Sequence, residues 1–191
     1  MKRRLRRCFY NRATLKVARE LLGKYLVLKR DGKFLSGKIV ETEAYIGRGD
    51  KASHASRGKT KRNEVMFGAP GYAYIYFTYG MYHCLNFVTE KENFPAAVLI
   101  RALQPKDGVE IMKKNRKTDT LENLTNGPGK VCMALGLDRR MNGIDLCSDI
   151  LYVEDRNERK GKFISTSRVG INVGKDKKWR FHIKDNKFVS R

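Results

Sequence analysis

The chain has 191 residues, 41% of them apolar, and carries 41 lysines and arginines against 20 acids for a net charge of +21. That length suits one domain of ordinary size able to bury roughly 70% of its extended-chain surface, which excludes wholesale disorder. The charge far exceeds the magnitude of about 2 to 8 that keeps a small domain soluble, so it points to a polyanionic partner without choosing among DNA, RNA, ribosome and acidic lipid.

Residues 1–30 hold 11 basic side chains against the single acid Glu20. The densest part, 1–12, reads as a basic N-terminal arm of a single domain spanning 1–191. Its start, Met1–Arg7, runs into Cys8-Phe9-Tyr10-Asn11-Arg12 and not into an apolar stretch, so no secretory segment is expected. No window approaches the ~18 apolar residues of a membrane span. Leu15, Ala18, Leu21 and Leu22 recur at helical spacing, with Asn11 or Thr14 as the expected cap and Gly23 as the stop. Tyr25–Leu28 and Phe34–Tyr45 read as hairpin strands joined at Asp31-Gly32. Residues 47–64 form a polar loop, a natural place for a site on a rigid sheet.

Gly68-Ala69-Pro70-Gly71 precedes a long aromatic strand, Tyr72–Tyr79, and after Gly80 a second extended segment runs from Met81 to Val88. Ala96–Leu103 is a strand expected to close at Pro105. Residues 108–122 and 130–137 read as helices, and Asp149–Val153 as a short strand. Ile164, Val169, Ile171 and Val173 read as further sheet, followed by a last strand in which Trp179, Phe181 and Ile183 share one face. The balance is an α+β domain around a mostly antiparallel sheet with peripheral helices.

Several common kinds of chemistry are absent. Cys8, Cys84, Cys132 and Cys147 lack compact ligand spacing, so buried thiols in a reducing, intracellular setting are expected in place of a metal site. Gly127-Pro128-Gly129-Lys130 is followed by Val131 and lacks P-loop spacing. No G-x-G-x-x-G cradle, zinc-deaminase pattern or G-x-S-x-G elbow occurs. No cofactor is therefore expected.

What remains lies between residues 41 and 101. Glu41 and Glu43 are two apart on a strand, so both face one side with Thr42 on the other. Such a pair is costly on a core face, and at least one acid must meet solvent, a basic partner or a substrate. Tyr45 shares that face. His54, His83 and His182 are each more often structural than catalytic. Tyr72, Tyr74 and Tyr76 alternate onto one face, and Tyr79 falls at a turn tip beside Gly80. Aromatic rings among phosphate-binding cations are a recurring nucleic-acid solution. The residues alone describe a nucleic-acid-binding domain and leave catalysis open.

Val40-Glu41-Thr42-Glu43-Ala44-Tyr45 and Tyr79-Gly80-Met81-Tyr82 closely resemble the alkyladenine (3-methyladenine) DNA glycosylase family. The likeness continues through Asp50, Ser53-His54, Arg62-Asn63, Met66-Phe67, Asn86, Leu99–Leu103, Gly127–Lys130, Arg168–Ile171 and Arg180-Phe181, nearly the whole chain from about residue 12. The resemblance implies a single mixed domain around a curved antiparallel sheet. It further implies monofunctional hydrolysis of the N-glycosidic bond of damaged purines, 3-methyladenine foremost, flipped from double-stranded DNA, with water as co-substrate.

Carried over by motif, Glu43 is the base that activates water, and Arg101 and the backbone carbonyl of Val169 hold that water. Tyr45, His54 and Tyr76 wall the base pocket. Asn86 crowds the amino group of guanine. Tyr79 fills the gap left by the flipped nucleotide, with Met66 beside it on the DNA-facing surface. A single DNA-reading face argues for a monomer. The competing expectations are a lesion binder without catalysis and an RNA- or ribosome-binding module.

Overall fold

Asp31 and Gly32 both take left-handed backbone angles (φ 50° and 71°) and join strand β2 (Tyr25–Arg30) to the long β3 (Lys33–Ile46). This is the conformation that tight hairpins need and that Asp-Gly supplies. The computed structural model describes residues 3–47, 49–159 and 161–190, so Met1 and Lys2, at the start of the expected arm, lie outside the described residues. Residues 3–12 of that basic stretch lie against the domain. Arg3–Arg4 form an edge strand, β1, paired with β7 (Leu151–Asp155), and a short helix, α1 (Arg7–Tyr10), buries Tyr10 in the core.

Beyond β3 the chain forms β4 (Ala73–Thr78), β5 (Tyr82–Val88), β6 (Ala96–Asp107), β8 (Phe163–Thr166) and β9 (Arg180–Ile183). The pairings are antiparallel, in the order β1-β7-β2-β3-β6-β5-β4, with β9 joined to the second half of β3 and β8 to β9. Helices α2 (Thr14–Leu21), α3 (Val109–Arg116) and α4 (Pro128–Leu135) are peripheral. Val17, Ala18 and Leu21 of α2 and Val131, Ala134 and Leu135 of α4 share one core with Leu26, Ile39, Val98 and Ile100 of the sheet. The expected α+β domain with a large antiparallel sheet is what forms. The β4 edge is covered by the segment 142–145, through bonds of Ala73 to Ile144 and Gly143 and of Ile75 to the Asn142 side chain.

Several local expectations change: the helix read over 108–122 ends at Arg116, and Cys8 is exposed, against the expectation of buried thiols. The cap of α2 comes from neither Asn11 nor Thr14: the distant Glu90 carboxylate accepts from the Thr14 N–H at 2.6 Å and from its hydroxyl at 2.9 Å. An acid at a helix N-terminus also meets the favourable end of the helix dipole. Strand β6 does not close at Pro105. It runs on to Asp107 through a register irregularity opposite Ser36 and Gly37, where the missing proline N–H is tolerated. Val169, Ile171 and Val173 are not sheet. They lie in a loop whose Gly170 and Gly174 take φ of 72° and 71°, with Val169 and Val173 exposed.

A second irregularity positions the site. Between β3 and β6, Ile39 pairs with Leu103, Glu41 with Ala102 and Thr42 with Ile100, so Val40 and Arg101 are both passed over. Bulges of this kind re-aim side chains and increase local twist.

Replacing Glu90 with alanine removes the side-chain cap of α2 seen among the described residues. The expected loss is about 1 kcal/mol, within the range for deleted helix caps, read as a lower midpoint with an unchanged slope in urea unfolding. An unchanged midpoint would show that the cap contributes nothing.

Candidate active site

Strand β3 sends its two faces to different tasks. Thr42 points to the helix side, where its hydroxyl donates to the Ala18 carbonyl at 2.9 Å. Glu41 and Glu43 point to the other, and both are fully buried. Of solvent, a basic partner and a substrate, the structure supplies a basic partner, Arg101, carried by β6 at the register irregularity. Its Nε donates to Glu41 Oε1 at 3.1 Å, and its Nη1 approaches Glu43 Oε2 at 3.5 Å.

The two carboxylates are held differently. Glu41 is saturated. Oε1 also accepts from Arg180 Nε at 2.5 Å and the Ser190 hydroxyl at 2.9 Å, and Oε2 accepts from the Ser190 N–H at 2.7 Å. Glu43 has a looser set: the Val169 N–H donates to Oε1 and the Tyr45 hydroxyl to Oε2, each at 2.8 Å. Burial pushes the Glu43 carboxyl above the usual carboxylate range, against the opposing pull of Arg101, the Val169 N–H and the Tyr45 hydroxyl. Burial and the adjacent Glu43 also push the Tyr45 phenol up, so it stays a proton donor.

In front of this pair lies a cavity of about 350 Å³, within the range of small-ligand sites. Tyr45, His54, Met66, Tyr76 and Asn86 line it, and Tyr79 stands at its edge. Arg101 and Val169 also reach its wall, so three groups in contact with Glu43 border the cavity while Glu43 sits directly behind them. The His54 ring meets Tyr76 edge-on at 4.4 Å, and its Nδ1 lies 3.0 Å from the Tyr74 hydroxyl. Burial, then the nearby Arg62, lowers the His54 pKa, leaving a neutral imidazole at neutral pH. Asn63 fixes the loop that carries His54 by donating to the carbonyls of His54 and Gly58. The Asn86 amide NH₂ is turned toward the Tyr74 carbonyl at 3.1 Å, leaving its side-chain oxygen as the group with free capacity.

Tyr79 occupies the tip between β4 and β5. It is 79% exposed and has φ of 51°, next to Gly80 at 66°. A bulky residue held left-handed is uncommon and costs about 1–3 kcal/mol, which the rest of the fold must offset. Phe77, Met81 and Tyr82 are exposed around it. Met66 is a correction. It is not on the surface beside Tyr79 but 2% exposed, packed with Ala55, Tyr74, Val88 and Ala97 on the turn Glu64–Phe67, and it meets the cavity from inside.

Sequence reasoning missed the brace behind Val169. The Arg168 side chain is fully buried and grips Asp50 with two nitrogens, at 2.6 and 2.8 Å, while Nη1 also donates to the Ala44 carbonyl at 3.0 Å. Its guanidinium stands 4.7 Å from the Tyr45 ring centre and 5.3 Å from that of Trp179. The loop that delivers the Val169 N–H is thereby pinned to β3. Asp50 and Arg168 belong to the matching motifs, but nothing in their spacing tells that they pair. Ser190 carried no signal at all. Among the described residues no cluster of three or more His, Cys, Asp or Glu side chains is placed to hold a metal ion, and no helix is long and apolar enough to cross a membrane.

Comparison with known proteins gives a consistent picture. The family model described as methylpurine-DNA glycosylase matches residues 8–187. A protein of Methanocella arvoryzae is 52% identical, over 98% of this chain and 96% of its own length. One of Carboxydothermus hydrogenoformans is 50% identical over 98% of both chains, and one of Alkaliphilus oremlandii is 47% identical over 98% of this chain and 99% of its own. All three carry the name 3-methyladenine DNA glycosylase as a provisional assignment.

Arg168→Met strands the buried Asp50 charge. It is expected to cost about 3–5 kcal/mol of stability, whereas the double variant Arg168→Met with Asp50→Asn recovers much of that loss. Denaturant unfolding of the two singles and the double checks this; additive losses would mean the pair acts independently.

Proposed function

The chain belongs to the methylpurine-DNA glycosylase family, and from that membership we propose that it excises alkylated purines, 3-methyladenine foremost, from double-stranded DNA, with Glu43 as the base that activates water. Its general activity follows from the family: it is a DNA-binding glycosylase of base-excision repair that hydrolyses N-glycosyl bonds. The observation that carries the finer reading is a carboxylate sealed behind an aromatic-walled cavity by Arg101, Tyr45 and the Val169 N–H.

A purine inside a duplex is out of reach until it is unstacked, which costs a few kcal/mol and less for a damaged base. Tyr79, exposed at the tip of the β4–β5 turn, fills the gap and holds the duplex open. The flipped base enters between Tyr45 and Tyr76, whose ring faces favour a cationic methylpurine, with His54 at its edge. Asn86 narrows the site against the amino group of guanine.

As the bond between sugar C1′ and the base nitrogen breaks, its electron pair neutralises the methylpurine cation and positive charge develops on the sugar. Glu43 as carboxylate stabilises that charge. Water, held by Arg101 and the Val169 carbonyl, forms the new bond to C1′ and gives its proton to Glu43. Direct attack by water makes the enzyme monofunctional. No step requires a metal or organic cofactor. One cavity mouth beside one wedge suits a monomer on DNA, acting inside the cell.

Glu43→Gln preserves the pocket and removes the base. Single-turnover release of 3-methyladenine is expected to fall by at least a hundredfold, in line with general-base contributions, while lesion affinity is kept; near-normal release would sink the assignment. In the wild-type protein the rate falls as Glu43 takes up a proton. Because its pKa is raised, the acidic limb of the pH profile is expected above the ordinary glutamate value of about 4.3. A limb at or below that value would contradict the role.

Tyr79→Ser is expected to weaken binding to a lesion duplex roughly tenfold, as loss of one stacked aromatic implies. Unchanged affinity in an anisotropy titration would argue against a wedge.

A further inference from the structure

Arg101 is the only described group that touches both buried acids, and its three nitrogens are not equally held. Nε is bonded to Glu41 at 3.1 Å, Nη2 to the Ser190 hydroxyl at 3.2 Å, and Nη1 makes the longest contact, 3.5 Å, to Glu43. The Ser190 hydroxyl accepts from Arg101 and donates to Glu41, closing a ring of three side chains on the side away from the cavity. Arg180 supplies a second cation to Glu41 at 2.5 Å. Left unopposed, a guanidinium beside a buried carboxylate would close into a two-pronged pair with it, the geometry Arg favours. Here that grip is spent on Glu41 and Ser190.

We propose that Glu41 and Ser190 are positioning residues that hold Arg101 back from Glu43, so that the Arg101 Nη1 faces the cavity and Glu43 keeps free lone pairs for water. The inference rests on the glycosylase reading of Glu43.

The groups around Glu43 make the consequence specific. Glu41 and Tyr45 come from β3, Arg101 from β6, Cys84 from β5, Arg180 and His182 from β9, and Arg168 from the neighbouring loop. Burial pushes the Tyr45 phenol and the Cys84 thiol up, and His182 down, so these stay neutral at neutral pH. Arg168 is matched by Asp50. The balance left is two acids, Glu41 and Glu43, against two cations, Arg101 and Arg180. Removing the Glu41 charge leaves a positive excess beside Glu43 and frees Arg101 to pair with it, which favours the charged carboxylate.

The test compares wild type, Glu41→Gln and Ser190→Ala by single-turnover release of 3-methyladenine from a duplex across pH, with lesion affinity and thermal midpoint measured alongside. Glu41→Gln is expected to move the acidic limb to lower pH and to lower the plateau rate roughly tenfold, as small misplacements of catalytic groups do. Ser190→Ala retains the backbone bond to Glu41. It is expected to lower the plateau rate several-fold with unchanged affinity and nearly unchanged midpoint.

A purely structural role would lower the midpoint and leave limb and plateau in place. If both variants fold and keep the wild-type profile, the inference is overturned; if Glu41→Gln does not fold, the plateau of Ser190→Ala decides alone. Failure of the wild-type protein to release base from any lesion duplex overturns the glycosylase reading instead, and this inference with it.

Discussion

The site depends on a single arginine made to serve two buried acids. Glu41 and Glu43 stand on one face of β3, removed from water, where unpaired carboxylates are prohibitively costly. Arg101 reaches both only because the β3–β6 ladder passes over it, an irregularity that turns its side chain to the acidic face. Arg180 on β9 and the tail residue Ser190 complete the charge and hydrogen-bond balance of Glu41. The long β3, its pairing with β9 and the placement of residues 186–190 are thus parts of one solution to a problem of charge burial.

The same economy of parts recurs in the cavity. Tyr45 forms wall and hydrogen-bond donor at once, and the loop that bears Val169 is anchored by an ion pair packed against that same Tyr45 ring. Buried pairs of this kind contribute little net stability but are expensive to break halfway. What they secure here is placement: three groups around Glu43 that come from a strand, a facing strand and an otherwise irregular loop.

Much of this was legible in the chain. Period-two alternation put Glu41, Glu43 and Tyr45 on one face, Asp31-Gly32 and Gly80 marked the hairpins, and the ordered motifs carried the family. What could not be read was long-range. Glu90 capping a helix 76 residues away, Arg168 seeking Asp50, and Ser190 reaching Glu41 across 149 residues leave no local pattern. Apolar alternation at Val169, Ile171 and Val173 read as strand, because an alternating run looks the same whether its side chains enter a core or stand beside a cavity. Met66 was misplaced for the reverse reason: its motif gives its neighbours in sequence and says nothing of which way a short turn points the side chain.

Tyr79, Phe77, Met81 and Tyr82 expose an apolar tip, a kind of surface that invites contact with another molecule. A net charge of +21 opposes the close approach of two copies, over a range that salt shortens to about 8 Å at physiological ionic strength, whereas a polyanion is drawn in. The charge therefore biases which contacts the tip can make, in favour of a surface of opposite sign.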